Sequence, residues 1–150
     1  MTQRLFEDFE VGQKFGSGTV TVTADRIKAF AAEFDPQPFH LDEQAARGTF
    51  FGELVASGWH TAAVTMRLLV EGGMHPAGGT VGAGGEDLRW PRPVRPGDTL
   101  RVEAEVLETR ASRSRPEIGL VKIRTTTFNQ AGEPVQLATP LLVVPRRPAG

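Results

Sequence analysis

From Thr80 onward the chain alternates apolar and polar positions. Leu100, Val102, Ala104 and Val106 are separated by Arg101, Glu103 and Glu105, and Val121 and Ile123 flank Lys122. A period of two places every second side chain on one face of a strand. Val135, Leu137, Leu141 and Val143 are the expected inward positions of a last strand, and PRPVRPGDT and NQAGEP supply turn chemistry between strands. Upstream the period lengthens. Ile27, Phe30, Ala31 and Phe34 fall at i, i+3, i+4 and i+7, one face of a helix that Thr23 or Asp25 caps. Asp35 precedes a proline, which disfavours the α conformation, so this helix is expected to stop at Phe34 and the chain to leave as a stiff, extended loop. Asp42 is placed to cap a short turn, EQAAR. TVTVT, Thr19 to Thr23, reads as a strand. After Gly58, Trp59, Ala62, Ala63, Met66, Leu69 and Val70 keep helical spacing with apolar residues on several faces, which predicts the most buried helix of the chain. One strand, then helices, then at least four strands on short connections gives an α+β fold, an antiparallel sheet wrapped around a helix.

Composition narrows the function. The 150 residues suit one domain, 1–150, with a single core. Eighteen acidic residues against seventeen Lys plus Arg leave a net charge of −1, without the basic excess that nucleic-acid binding needs. With no cysteine, disulfides, zinc-thiolate sites and thiol nucleophiles are excluded. MTQRLFEDFE has no apolar signal core, and the apolar stretches fall short of the ~18–20 residues of a membrane span, so a cytoplasmic protein is expected. The PRRPAG tail reads as dispensable. GGTVGAGG, Gly78 to Gly85, lacks a following GK[ST] and reads as a glycine-rich strand that lets the central helix pack closely, not as a phosphate loop. His60 and His75 make no metal-ligand pattern with His40, so no metal is expected. Ser57 lacks the GxSxG context of a nucleophile. Trp90 reads as a packing or interface anchor.

The segment EFDPQPFHLD, Glu33 to Asp42, carries the chemistry. Pro36 and Pro38 restrict the backbone between Asp35 and His40. Taken alone, Asp35 is a turn residue and His40 a hydrogen-bonded structural histidine. Together they can hold one water between two proton-handling groups, and such positioned acid–base catalysis is worth roughly 10²–10⁴-fold in rate. Both readings stand on pattern alone.

DPQPFHLD resembles the Asp-x-Asn-Pro-x-His signature of the MaoC-like acyl dehydratases, which include the (R)-specific enoyl-CoA hydratases. The likeness continues through VASGW, the helix after it, LRWPRPVRPGD, the SRSRPEIG hairpin and FNQAGEP. It implies the hot-dog fold, a long central helix wrapped by an antiparallel sheet. It also implies homodimers or larger homo-oligomers whose sheets join edge to edge, and an acyl-CoA substrate held in a tunnel without metal or redox cofactor. Carried over, Asp35 and His40 are the catalytic pair. They hold the water that adds to a trans-2-enoyl-CoA to give the (R)-3-hydroxyacyl-CoA, and which of the two is acid or base stays open. Gly58 matches the glycine whose backbone N–H meets the thioester oxygen. Ser57, Trp59 and Met66 fall where the acyl group binds, and Arg113 and Arg115, with Arg110 in the same basic hairpin, can meet CoA phosphates.

Three positions depart from the pattern. Gln37 replaces the signature Asn, Ser57 stands where many hydratases have His, and Met66 stands where some have an assisting serine. Thr61 or Thr65 are the available substitutes for that serine. Two rivals follow: a hot-dog acyl-CoA thioesterase, and a non-catalytic acyl-CoA-binding protein. Acyl length, pathway and direction are not legible.

Overall fold

The computed structural model describes residues 2–148. Two short strands, β1 (Lys14–Phe15) and β2 (Val20–Thr21), precede the helices α1 (Ala24–Phe34), α2 (Pro38–Leu41), α3 (Glu43–Ala46) and α4 (Gly58–Glu71). Four long strands follow: β3 (Val81–Arg89), β4 (Thr99–Ala111), β5 (Ile118–Phe128) and β6 (Pro134–Pro145). The sheet is antiparallel, in the order β1-β4-β5-β6-β3, with β2 also paired to β4. It curves around α4, as the alternation and the order of elements predict, in the hot-dog arrangement that the resemblance implies.

The caps form as the sequence implies. Thr23 accepts a hydrogen bond from the Arg26 N–H, and Asp42 accepts one from the Ala45 N–H at 2.9 Å. The TVTVT strand is shorter than expected, only Val20–Thr21, because Val22 bonds instead to the turn at Gly97 and Asp98. The core joins Leu68 and Leu69 of α4 to Val102 and Val106 of β4, Val121 and Ile123 of β5, and Val144 of β6. Each such aliphatic side chain contributes about 1.5–3 kcal/mol by burial. Ile123, fully enclosed, is a position where truncation to Ala costs about 2–5 kcal/mol.

Four expectations are corrected. In β6, Leu142 and Val144 are buried while Leu141 and Val143 are only half-buried. A register shift between Thr127 and Phe128 lets Val135 and Gln136 both turn inward, which resets the phase of the strand. In α4 the buried residues are His60, Thr61, Thr65, Leu68 and Leu69, whereas Trp59, Met66 and Val70 are exposed. The helix therefore has a second apolar face turned away from the sheet. The glycines of β3 do not admit α4: a Cβ at Gly82 or Gly84 would meet open space, and Gly85 instead approaches the backbone of Pro140 in β6. Gly84 (φ +122°) and Asp87 (φ +55°) sit where the β3 register shifts, so these residues serve bulges. Finally, the tail is tied down. The Arg146 Nε donates to Glu7 at 3.0 Å, and Arg147 bonds Asp8 at 2.9 Å; Ala149 and Gly150 lie outside the described residues.

Candidate active site

The approach to the site is set by Asp35, the C-cap of α1, whose backbone (φ −155°, ψ 65°) has left the helix one residue before Pro36. The chain then makes a tight turn, with the Gln37 N–H donating to the Asp35 carbonyl at 2.8 Å. Pro38 occupies the first position of α2, where a missing N–H costs nothing. The expected extended loop is thus half replaced by a helical turn, and that turn carries His40 inward, to 4% exposure.

The loop before α4 locks this turn in place. The Val55 N–H donates to the Phe39 carbonyl at 2.9 Å, and the Ala56 N–H donates to the Val94 carbonyl at 2.8 Å. Across the same junction, Nδ1 of His40 lies 2.6 Å from the Val55 carbonyl oxygen. A carbonyl only accepts, so Nδ1 carries a proton and Nε2 is the ring nitrogen left for chemistry. Nε2 faces Oδ2 of Asp35 at 3.3 Å.

Asp35 is ionised by its surroundings. Burial works against its charge, but hydrogen bonds donated by Gln37 and Ser57, with a smaller electrostatic contribution from the neighbouring His40 ring, outweigh burial and hold the carboxyl below its ordinary value. The longer arm of Gln37 reaches Asp35 itself: its Nε2 donates to Oδ1 at 2.5 Å. Ser57, fully buried, is the N-cap of α4 and accepts from the Trp59 N–H at 3.2 Å.

Gly58 opens α4, where the first backbone N–H groups have no partner within the helix. Among the described residues, nothing accepts a hydrogen bond from the Gly58 N–H. Its lack of a side chain has a local cause. A Cβ there would sit 2.6–2.8 Å from ring atoms of Trp90, whose Nε1 donates to buried Gln136 at 2.9 Å. Trp90 is therefore more than a packing anchor, because it covers Gly58 and forms a wall of the cavity beside it.

That cavity has a volume of about 550 Å³. It is lined by Phe39, Phe50 and Phe51 with His40, by Trp90 and Arg92, and by Gly58 and Thr61 of α4. Phe39 meets the His40 ring edge-on at 4.6 Å, and Phe50, almost fully exposed, packs on Phe51. Arg92 pairs with Glu133 at 3.2 Å.

Of the residues singled out from sequence, the fold gathers Asp35, His40, Ser57 and Gly58. Trp59 is exposed and touches the cavity only through its edge-on contact with Trp90 at 5.3 Å. Met66 lies on the outer face of α4 and does not line the cavity. Arg113 and Arg115 are at the exposed β4–β5 tip, Arg115 paired with Glu117 at 2.7 Å, and neither lines the cavity. Arg110 lines a separate depression of about 230 Å³ on the outer face of the sheet. Periodicity and motif do not mark Trp90 and Arg92 as cavity residues, since only the fold brings them beside residues 29 or more positions away. His60 stacks on Phe30 at 4.8 Å, and burial followed by the nearby Arg26 charge lowers its pKa. Among the described residues no group of three His, Cys, Asp or Glu is placed to hold a metal, and no helix is long and apolar enough to cross a membrane.

Known proteins resemble this chain in sequence and fold. A family model described as "MaoC like domain" matches residues 8–127. A crystal structure of a MaoC-like dehydratase from Rhodospirillum rubrum is 56% identical, with 97% of this chain and 99% of that chain covered and a TM-score of 0.92. The unliganded (R)-hydratase PhaJ1 from Pseudomonas aeruginosa is 34% identical, covering 95% and 86% of the two chains at a TM-score of 0.75. A 3-hydroxybutyryl-CoA dehydratase from Methylorubrum extorquens is 33% identical over 113 residues, 75% of this chain and 70% of the relative.

Proposed function

The chain belongs to the MaoC-like domain family, and from that premise we propose that it is an acyl-CoA hydratase/dehydratase, adding water reversibly across a trans-2-enoyl-CoA to give the (R)-3-hydroxyacyl-CoA. The observation that carries the reading is the Asp35–His40 pair, with Nε2 and Oδ2 3.3 Å apart and His40 opening on the cavity beside Gly58.

In hydration, a water on the cavity side of the pair donates to both Nε2 of His40 and Oδ2 of Asp35. His40 takes one proton as the water oxygen bonds to Cβ, and the ionised Asp35 stabilises the resulting imidazolium. The π electrons of the double bond move toward the thioester, and negative charge builds on its oxygen. The free Gly58 N–H at the start of α4 meets that oxygen, with the positive end of the helix dipole behind it. One preorganised donor of this kind contributes about 3–4 kcal/mol. The proton on His40 then passes to Cα on the face where hydroxyl was added. Dehydration runs the same steps backward. No metal or redox cofactor takes part.

Arg113 and Arg115, with Arg92 at the cavity, are proposed contacts for the CoA phosphates, since guanidinium groups bind them in bidentate fashion. A homodimer or larger homo-oligomer is also proposed. β3 is a sheet edge with Val81 and Leu88 exposed, and the outer apolar face of α4 begins at Trp59, which contacts Trp90 directly after β3. An open edge beside an apolar stripe suits a second copy of the chain.

The test is a panel of trans-2-enoyl-CoA esters followed by loss of enoyl absorbance, with free thiol monitored in parallel. Hydration without thiol release, lost in Asp35→Asn and His40→Ala, is expected. Thiol release would move the chain to thioesterase chemistry, and binding without turnover to a carrier role.

A further inference from the structure

Thr61 is 3% exposed and lines the cavity with His40 and Gly58. Its backbone N–H is spent on the Ser57 carbonyl at 3.1 Å. Its hydroxyl makes no hydrogen bond to any described residue, and its oxygen is not one of the fully enclosed unpaired atoms, which are His60 Nδ1 and His75 Nε2. The opening left to it is the cavity. Helical threonines commonly spend this hydroxyl on a carbonyl one turn back, and Thr61 does not. Valine would fill the same space without leaving an unpaired polar group, which is costly when buried. Thr65, the other threonine on this side of α4, is different: its hydroxyl is bonded to Thr127 at 2.6 Å and faces the sheet.

Resting on the hydratase reading above, we infer that the Thr61 hydroxyl is the third contact to the reacting oxygen. It donates to the attacking water in hydration and to the β-hydroxyl of the 3-hydroxyacyl thioester in dehydration. The hydrogen-bond inventory of the water leads to this role. Its two hydrogens go to His40 Nε2 and Asp35 Oδ2, and one lone pair attacks Cβ, so one lone pair lacks a donor. Position agrees. Thr61 is three residues beyond Gly58, about 4.5 Å along the axis and on the same side of the helix. Gly58, Thr61 and His40 line one cavity, so a thioester whose oxygen meets the Gly58 N–H has its Cβ in the space that the Thr61 hydroxyl and His40 share. The hydroxyl keeps its own proton throughout; it orients the oxygen and selects ligands that carry one at Cβ.

The experiment compares a 3-hydroxyacyl-CoA with the saturated acyl-CoA of equal length. Binding is measured by calorimetry in a His40→Asn background, where turnover is blocked. Adding Thr61→Val is expected to cut the preference for the hydroxy ester about tenfold, while Thr61→Ser retains it. In the otherwise native enzyme Thr61→Val should lower kcat more than it raises KM and leave Tm unchanged or slightly raised, because no bond within the protein is lost and an unpaired hydroxyl is removed. An unchanged preference and unchanged kcat in Thr61→Val, with enoyl hydration intact, overturns this inference and spares the hydratase reading. A chain that neither binds nor turns over any CoA ester overturns both.

Discussion

Nδ1 of His40 donates to the Val55 carbonyl across 2.6 Å, so a single backbone oxygen decides which ring nitrogen is free to move protons. Asparagine places an amide N–H near the position of Nδ1 but has nothing at Nε2. His40→Asn is therefore expected to keep the Val55 contact and a near-native Tm while losing roughly 10²–10⁴-fold in hydration rate. His40→Ala loses the same rate and also strands a buried carbonyl, at about 1–3 kcal/mol. Denaturant unfolding beside an enoyl-CoA assay separates the two variants. Equal stability in both would mean the Val55 bond is not what holds the ring.

The acid limb of activity should report Asp35. Gln37 and Ser57 donate to its ionised form and depress its pKa despite burial. Gln37→Leu removes one donor, so the folded pKa rises toward the ordinary 3.8. The acid limb of kcat/KM is expected to move to higher pH, and Gln37→Asn to fall between if the shorter arm still reaches. Stability follows the same sign. A depressed carboxyl binds fewer protons folded than unfolded, so its contribution is complete above the ordinary value and fades as pH falls through the folded one. Gln37→Leu should shrink that contribution. Profiles of wild type and variant that superimpose would remove Gln37 from the site.

Gly58→Ala is a substitution that helix propensity alone would favour by about 1 kcal/mol. The fold reverses the sign, because the new methyl would lie 2.6–2.8 Å from the Trp90 ring. The expected result is a loss of about 1–3 kcal/mol from overpacking, with a lower kcat as the indole shifts beside the oxyanion position. In a Trp90→Leu background the alanine should be nearly neutral. A double-mutant cycle by denaturation checks this, and a coupling energy near zero would show that Trp90 does not confine Gly58.

What was legible in the sequence was local. Thr23 and Asp42 cap their helices because a side-chain oxygen and the next N–H groups are a few residues apart. The strands β4 and β5 follow their alternation because one face meets the core throughout. The misreadings share a non-local cause. Periodicity finds the apolar residues of α4 but cannot tell which of two faces meets the sheet, so it places Met66 inward, where the structure has Thr61 and Thr65 buried instead. Alternation alone assigns Val143 to the core because a bulge near Phe128 is invisible from β6 alone. For the candidate site, the Asp35–His40 spacing was legible. Trp90 over Gly58, a contact across 32 positions, was not.

The outer face of α4 yields the last prediction. Trp59, Ala63, Met66 and Val70 recur at i, i+4, i+7 and i+11, and all four are exposed, even though Trp59 meets Trp90 edge-on. Exposed apolar stripes of this kind are aggregation liabilities unless another surface covers them. Sedimentation of the native chain is expected to give a dimer or larger assembly. Met66→Glu with Val70→Glu should give a monomer, since two carboxylates would have to be desolvated in the interface. Neither side chain reaches the core, so the variant should stay folded by circular dichroism. It should also lose activity if the partner closes the acyl tunnel, whereas an active monomer would confine the whole site to one chain. A native chain that sediments as a monomer would refute the assembly and leave the stripe to some other surface.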